Sequence, residues 1–151
     1  MDNACCVINT FYENGKIKEE YFQNNNIKEG LYKAYHPNGI LRKELHYING
    51  IKNGICKEYH PNNKVRMICN YVNGLKEGEQ ISYYSNEIIS IKNNYINGNR
   101  NGNYKKFHYN GVLQIECEYM NGNRNGNHRR YNYNGILQEE CEYINGNLTT
   151  S

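Results

Sequence analysis

Thiols and imidazoles are the side chains of this sequence with the most chemistry to offer. Six cysteines are present, Cys5, Cys6, Cys56, Cys69, Cys117 and Cys141. They contain no C-x-x-C pair, so a zinc site has little support, and no metal-binding residue is expected. His36, His60 and His108 lie at multiples of 24 residues, with Tyr84 and Asn132 in the same phase. A histidine column invites a metal or acid–base reading. If the repeat is a pair of strands, however, successive members stand about 10 Å apart, while ligands on one zinc need nitrogens within about 2.1 Å of the ion. A mildly polar strip on the face opposite the tyrosines is the better expectation. Asp2 is the single aspartate and Ser82, Ser85, Ser90 and Ser151 are the serines, none in a G-x-S-x-G context. No aspartate-based or serine-nucleophile mechanism therefore has a candidate residue, and no catalytic or cofactor-binding residue is expected. Lys105, Lys106, Arg124, Arg129 and Arg130 cluster late in the chain and are the candidate contacts for an anionic ligand, although Glu116, Glu118, Glu139, Glu140 and Glu142 accompany them.

Composition bounds what these residues can belong to. The 151 residues carry 18 Lys+Arg against 15 acids, a net charge of +3, too weak a bias to imply nucleic acid as a partner. The mean hydropathy of −0.96 leaves no stretch near the ~20 apolar residues of a membrane-spanning helix. Met1 to Thr10 lack the basic and apolar regions of a signal peptide. The chain is therefore expected to be intracellular and cytoplasmic, in the host cytoplasm if the source is viral, with all six thiols free. The 29 asparagines, with abundant Ile, Lys and Tyr, suggest codon drift in an AT-rich genome.

The asparagines do not mark disorder, because the sequence keeps strict phase. Gly30, Gly54, Gly78, Gly102 and Gly126 are spaced by 24, as are Gly50, Gly74, Gly98, Gly122 and Gly146; Gly15, Gly39, Gly111 and Gly135 complete the 14 glycines, of which 12 follow Asn. Aromatic residues share the period: Phe11, Tyr35, Tyr59, Tyr83, Phe107 and Tyr131 in one column, and Tyr47, Tyr71, Tyr95, Tyr119 and Tyr143 in another. Ile17, Leu41, Val65, Ile89, Leu113 and Leu137 form a third. Such self-similarity is the mark of a repeat architecture. The units are 6–29, 30–53, 54–77, 78–101, 102–125 and 126–147, flanked by tails 1–5 and 148–151.

Within each unit two β-prone runs flank Asn-Gly or its relic, a hairpin signal. An all-β, elongated antiparallel meander follows: about twelve short strands in a twisted open sheet on the order of 60 Å long, with ~4.8 Å between strands. A two-residue turn on Asn38-Gly39 pairs Tyr35 with Arg42, whereas a three-residue Pro-Asn-Gly loop pairs Tyr35 with Leu41. The second choice places Tyr35, Leu41, Leu45 and Tyr47 on one face, and the equivalents Phe107, Leu113 and Tyr119, and Tyr131, Leu137 and Tyr143, repeat the alternation. With Tyr59, Tyr71, Tyr83 and Tyr95 these form the expected core. This register keeps Cys56 and Cys69 apart and sets Arg129 across from Glu139.

The run Tyr-x-Asn-Gly-x-x-x-Gly-x-x-x-x-Tyr-x-x-Asn-Gly-x-Leu, as in Tyr119 to Leu137, resembles the MORN repeat, in the variant found in bacterial antitoxin- or immunity-like proteins. The resemblance covers residues 6–147, with departures at Gln23, Asn26, Asn63 and Glu87. It implies protein–protein scaffolding, dimerisation or contact with membrane phosphoinositides. The expectation is a non-enzymatic interaction or scaffolding module with a protein partner. The alternative is a peripheral binder of anionic phospholipid headgroups at a membrane surface through the late basic residues. Self-association is expected as a homodimer through the uncharged, β-prone edge strand bearing Val7, Ile8 and Phe11, since the last strand is guarded by Glu140 and Glu142.

Overall fold

The computed structural model describes residues 5–149, of Cys5 the backbone alone. Residues 1–4 and 150–151 of the expected tails lie outside the described residues, but Cys5 already opens the first strand and Leu148 closes the last. The chain divides into two compact units, Met1–Leu75 and Lys76–Ser151. In the first, β1 (Cys5–Phe11), β2 (Ile17–Asn24), β3 (Ile27–Tyr35), β4 (Leu41–Ile48), β5 (Ile51–Tyr59) and β6 (Val65–Val72) each pair antiparallel with the next. A two-residue strand, β7 (Leu75–Lys76), stands at the boundary. The second unit holds β8 (Gly78–Tyr83), β9 (Ile89–Ile96), β10 (Asn99–Arg100), β11 (Gly102–Phe107), β12 (Leu113–Met120), β13 (Asn123–Tyr131), β14 (Leu137–Ile144) and β15 (Asn147–Leu148). Its pairs are again sequential and antiparallel, with β10 on β9 beside β11. The fold is an all-β antiparallel meander, and among the described residues no helix is long and apolar enough to cross a membrane.

Two kinds of turn alternate. In the Pro-Asn-Gly loop, His36 and Ile40 close a three-residue connection: His36 N donates to Ile40 O (2.7 Å), Gly39 N to His36 O (2.8 Å) and Ile40 N to Asn38 Oδ1 (3.1 Å). Gly39 supplies the left-handed φ of +89° such a loop needs. Asn63 and Glu87, where glycine is missing, keep the same conformation at φ +64° and +68°. The other turn is Asn49-Gly50, with φ +49° and +78° and Ile48 paired to Ile51. Positive φ at both central residues matches the right-handed strand twist, which is why Asn-Gly dominates tight hairpins. The segment Asn-Gly-x-x-x-Gly that joins one unit to the next in sequence, as at Asn49 to Gly54, is a two-residue turn followed at once by the next strand.

The register reasoning needs correction. Tyr35 does pair with Leu41, but the register shifts between Ala34 and Tyr35, and over the rest of the strand pair Tyr32 meets Leu45 and Gly30 meets Tyr47. One residue, Arg42, bulges out, and the body of each hairpin follows the pairing a two-residue turn would have produced. Cys56 consequently faces Cys69, and Arg129 faces Glu140, while Glu139 faces Arg130.

This shift divides the expected aromatic ribbon between two faces. Tyr32, Ala34, Leu45 and Tyr47 share one face of the first unit with Cys56 and Cys69; the buried set is Tyr32, Ala34, Leu45, Cys56 and Cys69, with Tyr21, Tyr47, Met67 and Tyr71 packed around it. Tyr35 lies on the other face, its hydroxyl donating to Glu20 (3.2 Å), as Tyr59 does to Glu44 (2.7 Å) and Tyr131 to Glu116 (2.8 Å). Of the expected core, Tyr35, Leu41, Tyr47, Tyr59, Tyr71, Tyr83, Tyr95, Phe107, Leu113, Tyr119, Tyr131 and Tyr143 are half-buried and Leu137 is exposed. The buried residues fall instead in the cross-strand pairs Tyr32–Leu45, Cys56–Cys69, Gln80–Asn93, Tyr104–Cys117 and His128–Cys141, of which Tyr104 and Cys141 are half-buried.

Candidate binding surfaces

The side chains sort into rows, one position per repeat. On the face that carries Tyr35, charges alternate across the strands of the first unit as Glu20, Lys33, Glu44 and Lys57. In the second unit Lys105, Glu116, Arg129 and Glu140 do the same. Opposite charges placed directly across a ladder stabilise it by ~0.2–1 kcal/mol per pair. Arg129 holds Glu140 at 2.7 Å and Glu116 at 3.5 Å, and its guanidinium is held further above its already high value by Glu140 first and then Glu116. A polar hollow of about 330 Å³ opens beside this ladder. Arg129 there is already paired with Glu116 and Glu140.

The basic residues singled out from the sequence do not form one patch. Lys105 and Arg129 belong to the charged ladder, whereas Lys106 and Arg130, one residue further along their strands, project to the opposite face, where Arg130 lies 3.7 Å from Glu139. Arg124 stacks over Tyr143 at 5.2 Å from the ring centroid. It belongs to a row that sequence reasoning missed: Lys52 lies over Tyr71 (5.3 Å), Lys76 over Tyr95 (4.9 Å) and Arg100 over Tyr119 (5.4 Å), each 19 residues before its ring. Lys28 Nζ sits 4.3, 4.7 and 5.6 Å from the centroids of Tyr21, Tyr32 and Tyr47. Cations over tyrosine faces are worth ~0.5–2 kcal/mol, more as water is excluded. A conserved charge type at a 24-residue spacing, three lysines and then two arginines, was the available signal.

The histidine column stitches repeats together. His36 Nε2 lies 3.0 Å from Tyr59 O and His108 Nε2 2.9 Å from Tyr131 O, while Tyr12 and Tyr84 hydroxyls donate to Tyr35 O and Phe107 O, both at 2.7 Å. Each bond reaches the same backbone position one repeat on. Asn14, Asn86 and Asn110 donate similarly to Pro37 O, Tyr109 O and Tyr133 O. These polar groups hold the stack rather than a ligand.

Cys56, Cys69 and Cys117 are buried free thiols, Cys141 is half-buried and Cys6 is exposed. A hydrogen bond with Cys69, then burial, pushes the Cys56 thiol up, so Cys56 is not poised as a nucleophile. Burial lowers His128 from its ordinary value, with Arg124 adding to the effect. His128, Glu139 and Cys141 offer ligand atoms that all lie within 4.8 Å of one another. The sequence reading missed this trio because it compared histidines along a column and not residues across a strand pair.

The Asn-Gly turns carry a further row. Ile48 and Val72 in the first unit and Ile96, Met120 and Ile144 in the second stay 44–55% exposed, one in each repeat after the first and immediately before the two-residue Asn-Gly turn. Val7 and Phe11 are likewise exposed, and Ile8 is half-buried on β1, which pairs with β2 along one edge and with no other strand among the described residues.

The family model of the MORN repeat variant matches this chain six times, at residues 9–27, 28–49, 52–73, 76–97, 100–121 and 124–145. A comparison with curated proteins finds no match.

Proposed function

The chain belongs to the MORN repeat variant family, and from that membership we propose that it is a non-catalytic protein–protein interaction module whose partner docks along the Asn-Gly turns. MORN repeats generally bind proteins or membrane lipids. The observation that carries the protein reading is a recurring position, Ile48 and Val72 in the first unit and Ile96, Met120 and Ile144 in the second: large apolar side chains left about half exposed in five of the six repeats. Apolar side chains that recur exposed at one position of successive repeats offer a protein partner surface to bury. The headgroup alternative is less favoured. Of its five basic residues, Arg124 is drawn onto a ring, and Arg129 and Arg130 are paired with glutamates on opposite faces.

Affinity purification from the native cell, with the wild type beside Ile48→Asp/Val72→Asp, tests this reading. A protein retained by the wild type and lost by the variant is expected. If instead anionic vesicles sediment the wild type and Arg129→Glu/Arg130→Glu abolishes that, the lipid reading replaces it. A homodimer through β1 is the self-association we propose alongside, because Val7 and Phe11 are exposed there; light scattering on Ile8→Lys checks it.

A further inference from the structure

In the last repeat three positions that meet in space carry a combination of side chains found in no other repeat. Across β13 and β14, His128 stands directly opposite Cys141, and Arg130 stands opposite Glu139. Glu139 and Cys141 are two residues apart on one strand, so both project to the face of His128. At the same three positions the earlier repeats carry Ile8, Tyr21 and Glu19, then Tyr32, Leu45 and Lys43, then Cys56, Cys69 and Met67, then Gln80, Asn93 and Ile91, then Tyr104, Cys117 and Ile115. Only the last repeat brings an imidazole, a thiol and a carboxylate together.

The geometry is close to what a metal ion requires. Cys141 Sγ lies 3.9 Å from His128 Nδ1, and one ligand atom of each of the three residues lies within 4.8 Å of the other two. A tetrahedral zinc with Zn–N ~2.1 Å and Zn–S ~2.3 Å holds its nitrogen and sulfur about 3.6 Å apart. Closing the triangle therefore needs movements of about 1 Å, within reach of side-chain rotation. His128 is 6% exposed, and the Tyr143 ring meets it edge-on at 5.9 Å, so the imidazole is already oriented. The competing partner of Glu139 is Arg130 at 3.7 Å, with both side chains about half exposed. Such a pair is worth little, and the carboxylate can exchange it for a cation.

We propose that His128, Glu139 and Cys141 form a binding site for one zinc ion. One nitrogen, one sulfur and one oxygen donor suit this borderline-soft cation. Three protein ligands leave a fourth position for water or a partner's side chain. Binding takes Cys141 as the thiolate, releasing its proton to solvent, and frees Arg130 from Glu139. The ion clips β13 to β14 at the last hairpin. This site is independent of the apolar row and stands or falls apart from it.

Cobalt titration of the full chain, reduced with a phosphine and freed of metal, reads the site directly. A thiolate-to-cobalt charge-transfer band saturating at one ion per chain and displaced by zinc is expected. Cys141→Leu should abolish the band, and His128→Gln and Glu139→Ile should weaken cobalt binding by at least ~10-fold, the loss that even outer-sphere changes produce. Each variant installs the residue found at that position in another repeat, as in Leu45, Gln80 and Ile115. Zinc should also shield Cys141 of the wild type from iodoacetamide, a readout that needs no variant. Absence of the band, its survival in Cys141→Leu, or unshielded alkylation of Cys141 at saturating zinc would each overturn the assignment.

Discussion

Glu87 sits at φ +68°, in the loop position that Gly15, Gly39, Gly111 and Gly135 occupy elsewhere. A side chain in the left-handed region costs roughly 1–2 kcal/mol, while glycine loses ~0.4–1 kcal/mol through the greater freedom of the unfolded chain. Strain relief is the larger effect, so Glu87→Gly should raise stability by about 0.5–1 kcal/mol in a urea melt; a loss would mean that the contacts of the Glu87 side chain outweigh its backbone strain. Glu58 carries the clearest pH dependence. Burial works to raise its pKa, but Lys43 at 3.1 Å and the paired Arg66 outweigh it and leave the carboxyl below the usual range. Because the folded value is depressed, the stabilisation is full above the unfolded glutamate value of ~4.3 and is lost as pH falls through the folded value. Between pH 6 and 3 the wild type should therefore lose more stability than Glu58→Gln, and parallel pH profiles would rule this out.

Among the elements, the turns were the most legible part of the sequence. Asn-Gly at a fixed period announced left-handed residues, and the Pro-Asn-Gly loop around Gly39 could be placed from its length. The bulge at Arg42 was not legible. Nothing in its residue type distinguishes it, and a single extra residue reverses which side chains share a face beyond it. That is why Tyr35 and Tyr47 were assigned to one ribbon although they occupy opposite faces. The two glycine series also differ in a measurable way. At Gly50 (φ +78°) an added Cβ would meet Ile27 Cγ2 at 3.2 Å, while at Gly54 (φ +87°) it would meet nothing within 4 Å. Both replacements by alanine pay the left-handed cost of about 1–2 kcal/mol, but Gly50→Ala must also displace Ile27. Denaturant melts should therefore find it the more destabilising of the two; equal losses would show that Ile27 gives way freely.

At the scale of the whole molecule, neighbouring repeats within each unit are joined by the same few bonds, and repeat architectures sum such nearest-neighbour terms. The family and the all-β class could be read from phase alone, because period-bearing glycines and tyrosines survive even in the irregular repeats. The buried rows could not. Tyr32, Cys56, Gln80, Tyr104 and His128 share one structural position and almost no chemical property, so no periodicity in hydropathy marks it. Within each unit the strands carry these rows on one face and a ladder of alternating charges on the other, and the aliphatics before the Asn-Gly turns stay about half exposed. The proposed docking surface thus implies a division of labour between residues that fold the chain and the exposed aliphatics before the turns.

Leu45 and Ile48 test that division, being three residues apart on β4 with relative exposures of 2% and 51%. Urea unfolding of Leu45→Ala and Ile48→Ala should give a loss of about 2–5 kcal/mol for the first, the range for a buried leucine. The second should lose no more than about 0.5 kcal/mol, as for a surface change. Comparable losses for the two would contradict the account, because Ile48 would then belong to the folding core and not to a surface kept free for a partner.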